Sequence, residues 1–517
     1  MFKQLNFFFI LILPLVFKYI FLFFFIDLEL FDLEDILEDI FFFFAIILLL
    51  QSKIFKKQFF ADALYVIYIF YFILETTSYI AVLSNFSSSY MYLLIESNNA
   101  ELNEFMSTYI NIPILLFIAL MSFLFIIIRK KRFVIKKIKK PIIEVLSFFA
   151  IVIFLKFTGL IESNAYHNIV RGTYGYFQLQ KSVNLKTEIS KKNIQINANN
   201  EVLVVVLGES TARGHMQLYG YKRETTPLLN AIKDSLFIYN NVISTDVFTL
   251  KVIPKMLTSL DNTNTNKEVI NIIEVFNKAG YNTFWLSNQR PISFHDNAIS
   301  KIASASNKFK FFNHIIDKHT VVLDEIILPD YKNILDQEGK KVIFIRLIGT
   351  HFDYKKRYPK AYNKFVSELE DTTDKDKTIN HYDNAVLYND FIVYSILQDL
   401  KKTNTKSALL YLSDHGENVY DDGDFFGRTE SNLKKNMFDI PFFIWTSNEF
   451  EFPDDFEYMP NRKFMTDHLY ESLGHLFGVM HKDMNANHSI FSKFFKKRKR
   501  IVVNDINYDE HFLTKDE

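Results

Sequence analysis

The chain of 517 residues contains no cysteine. That excludes structural disulfides and thiolate metal sites, so any metal must be held by Asp, Glu, His or a hydroxyl oxygen. Net charge is missing too, since Lys+Arg and Asp+Glu each total 59. The overall charge gives no reason to expect a nucleic-acid partner. Basic residues are absent from two particular stretches. Residues 27–39, "DLELFDLEDILED", hold seven acids and no Lys or Arg, and residues 84–111 also lack both. Nor does a small-residue cleavage site follow the apolar amino terminus, which excludes a cleaved signal peptide.

What is abundant is phenylalanine, 56 residues, much of it in long apolar runs. "LNFFFILILPLVFKYIFLFFFI" (5–26) is long enough to cross a hydrocarbon core of about 30 Å, despite Lys18. Further runs at 36–50, 59–83, 112–128 and 142–160 make five candidate spans. The connection "QSKIFKKQ" carries three lysines, and "RKKRFVIKKIKK" (129–140) is strongly basic. Basic connections stay in the cytoplasm. All four connections then agree on a cytoplasmic amino terminus, with everything after residue 160 outside. Asp62 and Glu75 are expected near the two ends of the third span. An acid at membrane depth would otherwise mark a functional site.

Residues 161–200 are polar and weakly periodic, as in a linker or bridging helix. From 201 onward the pattern changes. Short apolar runs, "VLVVVL" (202–207), "TFWLS" (283–287), "KVIFIRLIG" (341–349), "ALLYLSD" (408–414) and "IPFFIW" (440–445), alternate with stretches of helical spacing at 268–280 and 381–402. This predicts an α/β domain with a mostly parallel sheet covered by helices on both faces. Chemistry in such sheets collects at the carboxyl ends of the strands. Glu209 closes one run, and Asp414 with His415 closes another. Oxygen and imidazole ligands from two strand ends would suit a zinc ion that keeps an open position.

"GESTARGHMQLYGYKRETTPLL", "NNVISTDVFTLKVIPKML", "FWLSNQ", "LIGTHFDYKKRYP", "YDNAVLYND" and "LYLSDHGENVYD" follow one another in this order. Together they resemble the membrane phosphoethanolamine transferases of the alkaline phosphatase (sulfatase-like) superfamily, and the resemblance covers nearly the whole chain. It implies a membrane domain (1–160), a linker or bridging helix (161–200) and a periplasmic catalytic domain (201–517), in a bacterial inner membrane. It also implies zinc-dependent transfer of phosphoethanolamine from phosphatidylethanolamine to an envelope acceptor such as lipid A or the lipopolysaccharide core. The family's zinc ligands fall on Glu209, Asp414 and His415, and its threonine nucleophile, also a metal ligand, on Thr249. Thr245 competes, but stands where many relatives have a cysteine. Lys255 occupies the matching second cysteine, so the brace those relatives use is absent.

His351 matches a family histidine that contacts the phosphoryl group or a second metal. Arg428 stands at a later position that is often histidine. Arginine cannot bind zinc but can clamp phosphate oxygens, so Arg428 reads as substrate-binding and a second metal site would be incomplete. Ser97 and Glu101 match a head-group segment, with Leu93 departing from an asparagine of some relatives. Asp383 and Asn384, beside Tyr382, either shape the pocket or cap a helix. His215 and His381 read as ordinary polar histidines, and "FFKKRKR" (494–500) as a solvated basic run. A monomer is the default expectation. The competing readings are a hydrolase or phosphoglycerol transferase of the same superfamily, and a non-catalytic membrane module.

Overall fold

The structure, a computed structural model, describes residues 2–25, 33–51, 58–82, 85–97, 99–131, 141–182, 185, 189–262, 269–289, 298–312, 321–366 and 373–513. The first acids of the 27–39 connection and the basic segments 52–57 and 132–140 lie outside these residues. The chain divides into two units. One comprises Met1–Phe177 with Thr429–Asn432, the other Gln178–Arg428 with Leu433–Glu517.

The first unit is helical: α1 (Phe2–Phe25), α2 (Leu33–Gln51), α3 (Gln58–Val82), α4 (Ser89–Glu96), α5 (Asn99–Tyr109), α6 (Ile112–Lys131), α7 (Pro141–Thr158) and α8 (Ala165–Ser182). Five of these cover the five apolar runs. Among the described residues, two segments, Phe59–Ala81 and Ile112–Arg129, are long and apolar enough to cross a membrane. The apolar parts of α1 and α7, Phe9–Phe25 and Val145–Thr158, are shorter. Helix α2 opens on Glu34 and Asp35 and carries Glu38 and Asp39 a turn later.

Polarity in this unit is inverted relative to a water-soluble bundle. Phe59 and Phe157 are 76% and 88% exposed, whereas Lys18, Glu38, Asp39 and Glu75 are at most 1% exposed. Lys18 Nζ pairs with Asp39 at 2.6 Å. Asn164 Nδ2 donates to Glu38 at 2.6 Å, and Tyr71 Oη donates to Asp39 at 2.8 Å. The lysine that interrupts the first apolar run is thus turned inward onto an acid of the next helix, and the phenylalanines face out. Buried charge is tolerated where it is paired, and outward apolar side chains suit a hydrocarbon solvent. Asp62 pairs with Arg129 at 3.3 Å, while Glu75 is enclosed rather than placed at a solvated end.

The second unit is built on a seven-stranded sheet. Its strands are β1 (Val202–Gly208), β2 (Phe237–Ile238), β3 (Asn282–Ser287), β4 (Lys308–Phe311), β5 (Lys341–Arg346), β6 (Ser407–Ser413) and β7 (Phe442–Thr446), in spatial order β2-β7-β6-β1-β5-β3-β4. Strands β6, β1, β5, β3 and β4 run parallel. β7 is antiparallel to both β6 and β2, so the sheet is mixed. The "IPFFIW" run matches its parallel neighbours in burial, and burial carries no information about strand direction. Every residue of β1 and β6 is buried. Val202, Val204 and Val206 share a core with Leu409, Tyr411, Ile343 and Ile396. Leu203, Val205 and Leu207 point to the other face and are equally enclosed.

Register aligns the chemistry. Gly208 pairs with Ser413, and Leu207 and Ser287 both pair with Arg346. The residues that follow β1, β6, β5 and β3 therefore emerge at one end of the sheet.

Candidate metal and phosphoryl-transfer site

Glu209 and Asp414 each come one residue after the paired Gly208 and Ser413, and Asp414 N donates to Gly208 O at 3.1 Å. Two carboxylates and the His415 imidazole thereby meet within 4.8 Å of one another, all buried. Two glycines permit this approach. A Cβ on Gly349, which has φ +52°, would meet Glu209 backbone atoms at 2.9 Å, and one on Gly416 would meet Asn436 O at 2.0 Å.

Thr249 arrives from another element, as the first residue of the Thr249–Leu257 helix. Its Oγ1 lies 2.6 Å from Asp414 Oδ2, 3.2 and 3.1 Å from the two oxygens of Glu209, and 3.2 Å from His415 Nε2. Thr245 makes no hydrogen bond to this cluster and is buried with its hydroxyl unpartnered. The loop before Thr249 is turned by Asp246, whose carboxylate accepts from Val247 N and Phe248 N at 2.8 and 3.3 Å. Lys255 donates to Asn262 at 2.6 Å, and Asn262 donates to Ile501 O at 2.7 Å. Hydrogen bonds hold this segment.

The electrostatics are those of a site built for a cation. Burial pushes Glu209 up, but the hydrogen bond and charge of His415, with His351 and Arg428 nearby, hold it well below the usual carboxylate range. Asp414 is pushed up to about 6 by burial and by the charge of Glu209. Burial and Arg428 pull His415 down, yet Asp414 and Glu209 raise it above its ordinary value. Two enclosed carboxylates therefore draw positive charge onto the adjoining imidazole. His415 Nδ1 lies 2.8 Å from Gly416 O. A carbonyl only accepts, so Nδ1 carries hydrogen and Nε2 is the ring atom turned to the cluster. Two carboxylates, one imidazole nitrogen and a hydroxyl oxygen are a donor set that fits zinc.

Ser210, Gln289, Tyr354 and Glu417, which the sequence reading did not single out, complete the surroundings together with Tyr382, Arg428 and His351, which it did. Ser210 has φ +58°, a left-handed conformation that costs a non-glycine residue about 1–3 kcal/mol. Its N–H donates to Asp414 at 3.2 Å, and its hydroxyl donates to Glu209 at 3.1 Å. Tyr382 holds this turn, donating to Ser210 O at 2.7 Å and accepting from Ala212 N at 2.8 Å. Gln289 donates to Glu209 at 3.1 Å. Arg428 donates to Ser210 Oγ at 2.6 Å and to Glu417 at 2.8 Å, and Glu417 also accepts from Tyr354 Oη at 3.0 Å. His351 lies near this set. Its ring is held down to about 3 by burial, reinforced by Arg357, Arg428 and His415 against the pull of Glu209.

Asp383 and Asn384 are elsewhere. They lie well inside the Asp374–Lys401 helix, whose cap is Thr373, so the capping alternative fails. Asn384 accepts from Phe365 N at 2.8 Å. Asp383 binds Arg223 and His215, both at 2.7 Å, and His215 reaches Asp421 at 3.0 Å with its other nitrogen. Ser97 belongs to the helical unit, where it lines an apolar cavity of about 260 Å³ with Leu94, Leu102 and Phe105. The Glu101 side chain lies outside the described residues.

Burial pulls His215 down, but its two aspartates outweigh this and raise it to about 9. A raised folded value stabilises fully below the unfolded value of about 6.5 and is lost as pH rises through 9. Stability of the second unit is therefore expected to fall by roughly 2–3 kcal/mol between pH 6.5 and 10. His215→Asn should flatten that dependence in denaturant titrations at both pH values. An unchanged slope would contradict the clamp.

Comparison with known proteins agrees with this geometry. The family model described as Sulfatase matches residues 201–479. The phosphoethanolamine transferase EptC of Escherichia coli strain K12 is 30% identical over 468 residues, covering 82% of this chain and 81% of that protein. The chain belongs to the phosphoethanolamine transferase family of sulfatase-like enzymes. Among solved members, the zinc complex of the carboxyl-terminal periplasmic domain of EcEptC from Escherichia coli superposes with a TM-score of 0.57 at 32% identity, covering 61% of this chain and 95% of that one. The integral membrane phosphoethanolamine transferase EptA of Neisseria meningitidis shares the fold over 87% of this chain and 90% of its own, with a TM-score of 0.67 at 19% identity.

Proposed function

We propose that this phosphoethanolamine transferase takes phosphoethanolamine from phosphatidylethanolamine, carries it as an ester on Thr249, and passes it to an acceptor in the cell envelope. The observation that carries the reading is the position of Thr249 Oγ1, in hydrogen-bond reach of Glu209, Asp414 and His415 at once. Glu209, Thr249, Asp414 and His415 would hold one zinc ion, which when bound supplies Lewis acidity that favours the deprotonated hydroxyl and offsets charge on the phosphoryl group.

The chain's own residues account for the remainder. Asp414 Oδ2 accepts the Thr249 proton, and Ser210 and Gln289 orient Glu209. Oγ1 attacks phosphorus and forms an O–P bond. The bond to the diacylglycerol oxygen breaks, and diacylglycerol leaves with a proton. An acceptor oxygen then attacks the same phosphorus and releases Thr249. Arg428, fixed by Glu417, donates to the phosphoryl oxygens, and His351 stays neutral beside them.

One relative, from Salmonella typhimurium, is named as a Kdo(2)-lipid A phosphoethanolamine transferase, which supports an acceptor of that kind. The inverted polarity of the helical unit supports five spans within residues 1–160, a bridging helix within 161–200 and a catalytic domain over 201–517 facing the periplasm of a bacterial inner membrane. Vesicles containing phosphatidylethanolamine and phosphatidylcholine test the donor. The zinc-loaded protein should release diacylglycerol with loss of the ethanolamine lipid only. Equal loss of both lipids, or release of free phosphate, would favour a hydrolase.

A further inference from the structure

Arg346 is the last residue of β5, closing a strand whose other members are buried. Its side chain is 11% exposed, and its one ion pair among the described residues is with Glu209, Nη2 to Oε2 at 3.7 Å. No hydrogen bond from its guanidinium is present among the described residues. The other enclosed arginines are firmly held. Arg213 reaches Asp439 at 2.7 Å, Arg357 reaches Phe352 O at 2.8 Å and Arg500 reaches Asp509 at 2.6 Å. A guanidinium withdrawn from water without hydrogen bonds is costly. Arg346 has five donors and only a loose neighbour.

Arg428 is placed in the corresponding way on the other side. Its Nη2 lies 3.7 Å from Glu209 Oε1, and its Nε is buried without a partner. Thr249 Oγ1 is 3.2 Å from Oε1 and 3.1 Å from Oε2. The hydroxyl thus faces a carboxylate whose two oxygens each look onto one guanidinium, and each guanidinium keeps donors free. A phosphodiester has two non-bridging oxygens.

We propose that Arg346 is a catalytic residue, forming with Arg428 a two-guanidinium clamp on the non-bridging oxygens of the phosphodiester attacked by Thr249. This rests on Thr249 being the nucleophile. As the Oγ1–P bond forms and the bond to diacylglycerol breaks, negative charge is carried by those oxygens. Fixed N–H donors then act where the charge resides. Neither arginine gains or loses a proton. The alternative role, neutralising Glu209, is poorly served at 3.7 Å when committed pairs in the same unit close to 2.6–2.8 Å.

The test uses the zinc-loaded full chain and its Arg346→Gln and Arg346→Lys variants, with zinc content and melting temperature measured for each. Two readouts are taken: the single-turnover rate of phosphoethanolamine addition from detergent-solubilised phosphatidylethanolamine, and binding of phosphoethanolamine itself by phosphorus NMR titration. Arg346→Gln should slow addition about 100-fold, the effect of removing one positioned donor, and weaken phosphoethanolamine binding about tenfold with zinc content unchanged. Arg346→Lys should recover part of both, because an ammonium lacks the planar fork. Addition at the wild-type rate, or unchanged phosphoethanolamine affinity, overturns the clamp. So does a loss fully restored by added zinc, which would make Arg346 a guardian of the metal site. If the wild type forms no adduct on Thr249, the nucleophile reading fails instead, and the phosphoethanolamine titration still decides whether Arg346 binds the phosphoryl group.

Discussion

Asp414→Asn is expected to abolish transfer while making the metal-free protein more stable at neutral pH. Asp414 and Glu209 are both enclosed, and burial with the charge of Glu209 raises Asp414 to about 6. An acid whose folded value is raised destabilises the fold above that value and has no such effect below its unfolded value near 3.9. Removing the charge should therefore raise metal-free stability by about 1–3 kcal/mol at pH 7.5, a direction known for buried charges replaced by neutral groups. The gain should vanish below pH 4. With zinc the order should reverse, because the variant has lost a ligand and the wild type gains binding energy on folding. Paired denaturation curves, with and without zinc at the two pH values, check all four corners. A variant equally destabilised at both pH values without zinc would show that Asp414 acts through its hydrogen bonds alone.

Thr249→Ala should lower turnover about 10⁴-fold or more, the scale on which covalent nucleophiles act. Thr249→Ser should keep activity within about 100-fold, because the hydroxyl survives and only the methyl group that fixes its rotamer is lost. Zinc should remain bound in both, held by Glu209, Asp414 and His415. Steady-state release of diacylglycerol from vesicles, with metal analysis of the same samples, separates loss of the nucleophile from loss of the ion. If Thr249→Ala retained turnover while Thr245→Ala did not, the reading of this segment would be wrong by one turn.

The strand ends were the legible part of the second unit. Glu209 and Asp414-His415 each follow a short apolar run, and parallel register brings such ends together without further information. Thr249 was not readable from residue pattern, since it reaches the site from the start of a helix. Family resemblance, not pattern, points to it. The direction of β7 was hidden, because antiparallel and parallel strands buried on both faces look the same. Asp383 and Asn384 stand where the apolar stripe of their helix begins, and the polar turns before them, from Asp374, carry no such stripe to mark the true start. Arg346 is legible in the sequence alone. A charge inside "KVIFIRLIG", one row before the site, was signal enough in a run otherwise buried. In the helical unit, Lys18 looked like a flaw in a span. Its partner Asp39 lies 21 residues on, across a connection whose register no periodicity could supply.

The most direct measurement is intact-protein mass spectrometry after the zinc-loaded chain has been incubated with phosphatidylethanolamine in the absence of acceptor, followed by peptide mapping. The account predicts a single phosphoethanolamine adduct on the peptide containing Thr249, discharged on addition of acceptor and absent from Thr249→Ala. Diacylglycerol release with no adduct at any time, or an adduct mapped to another residue, would contradict it.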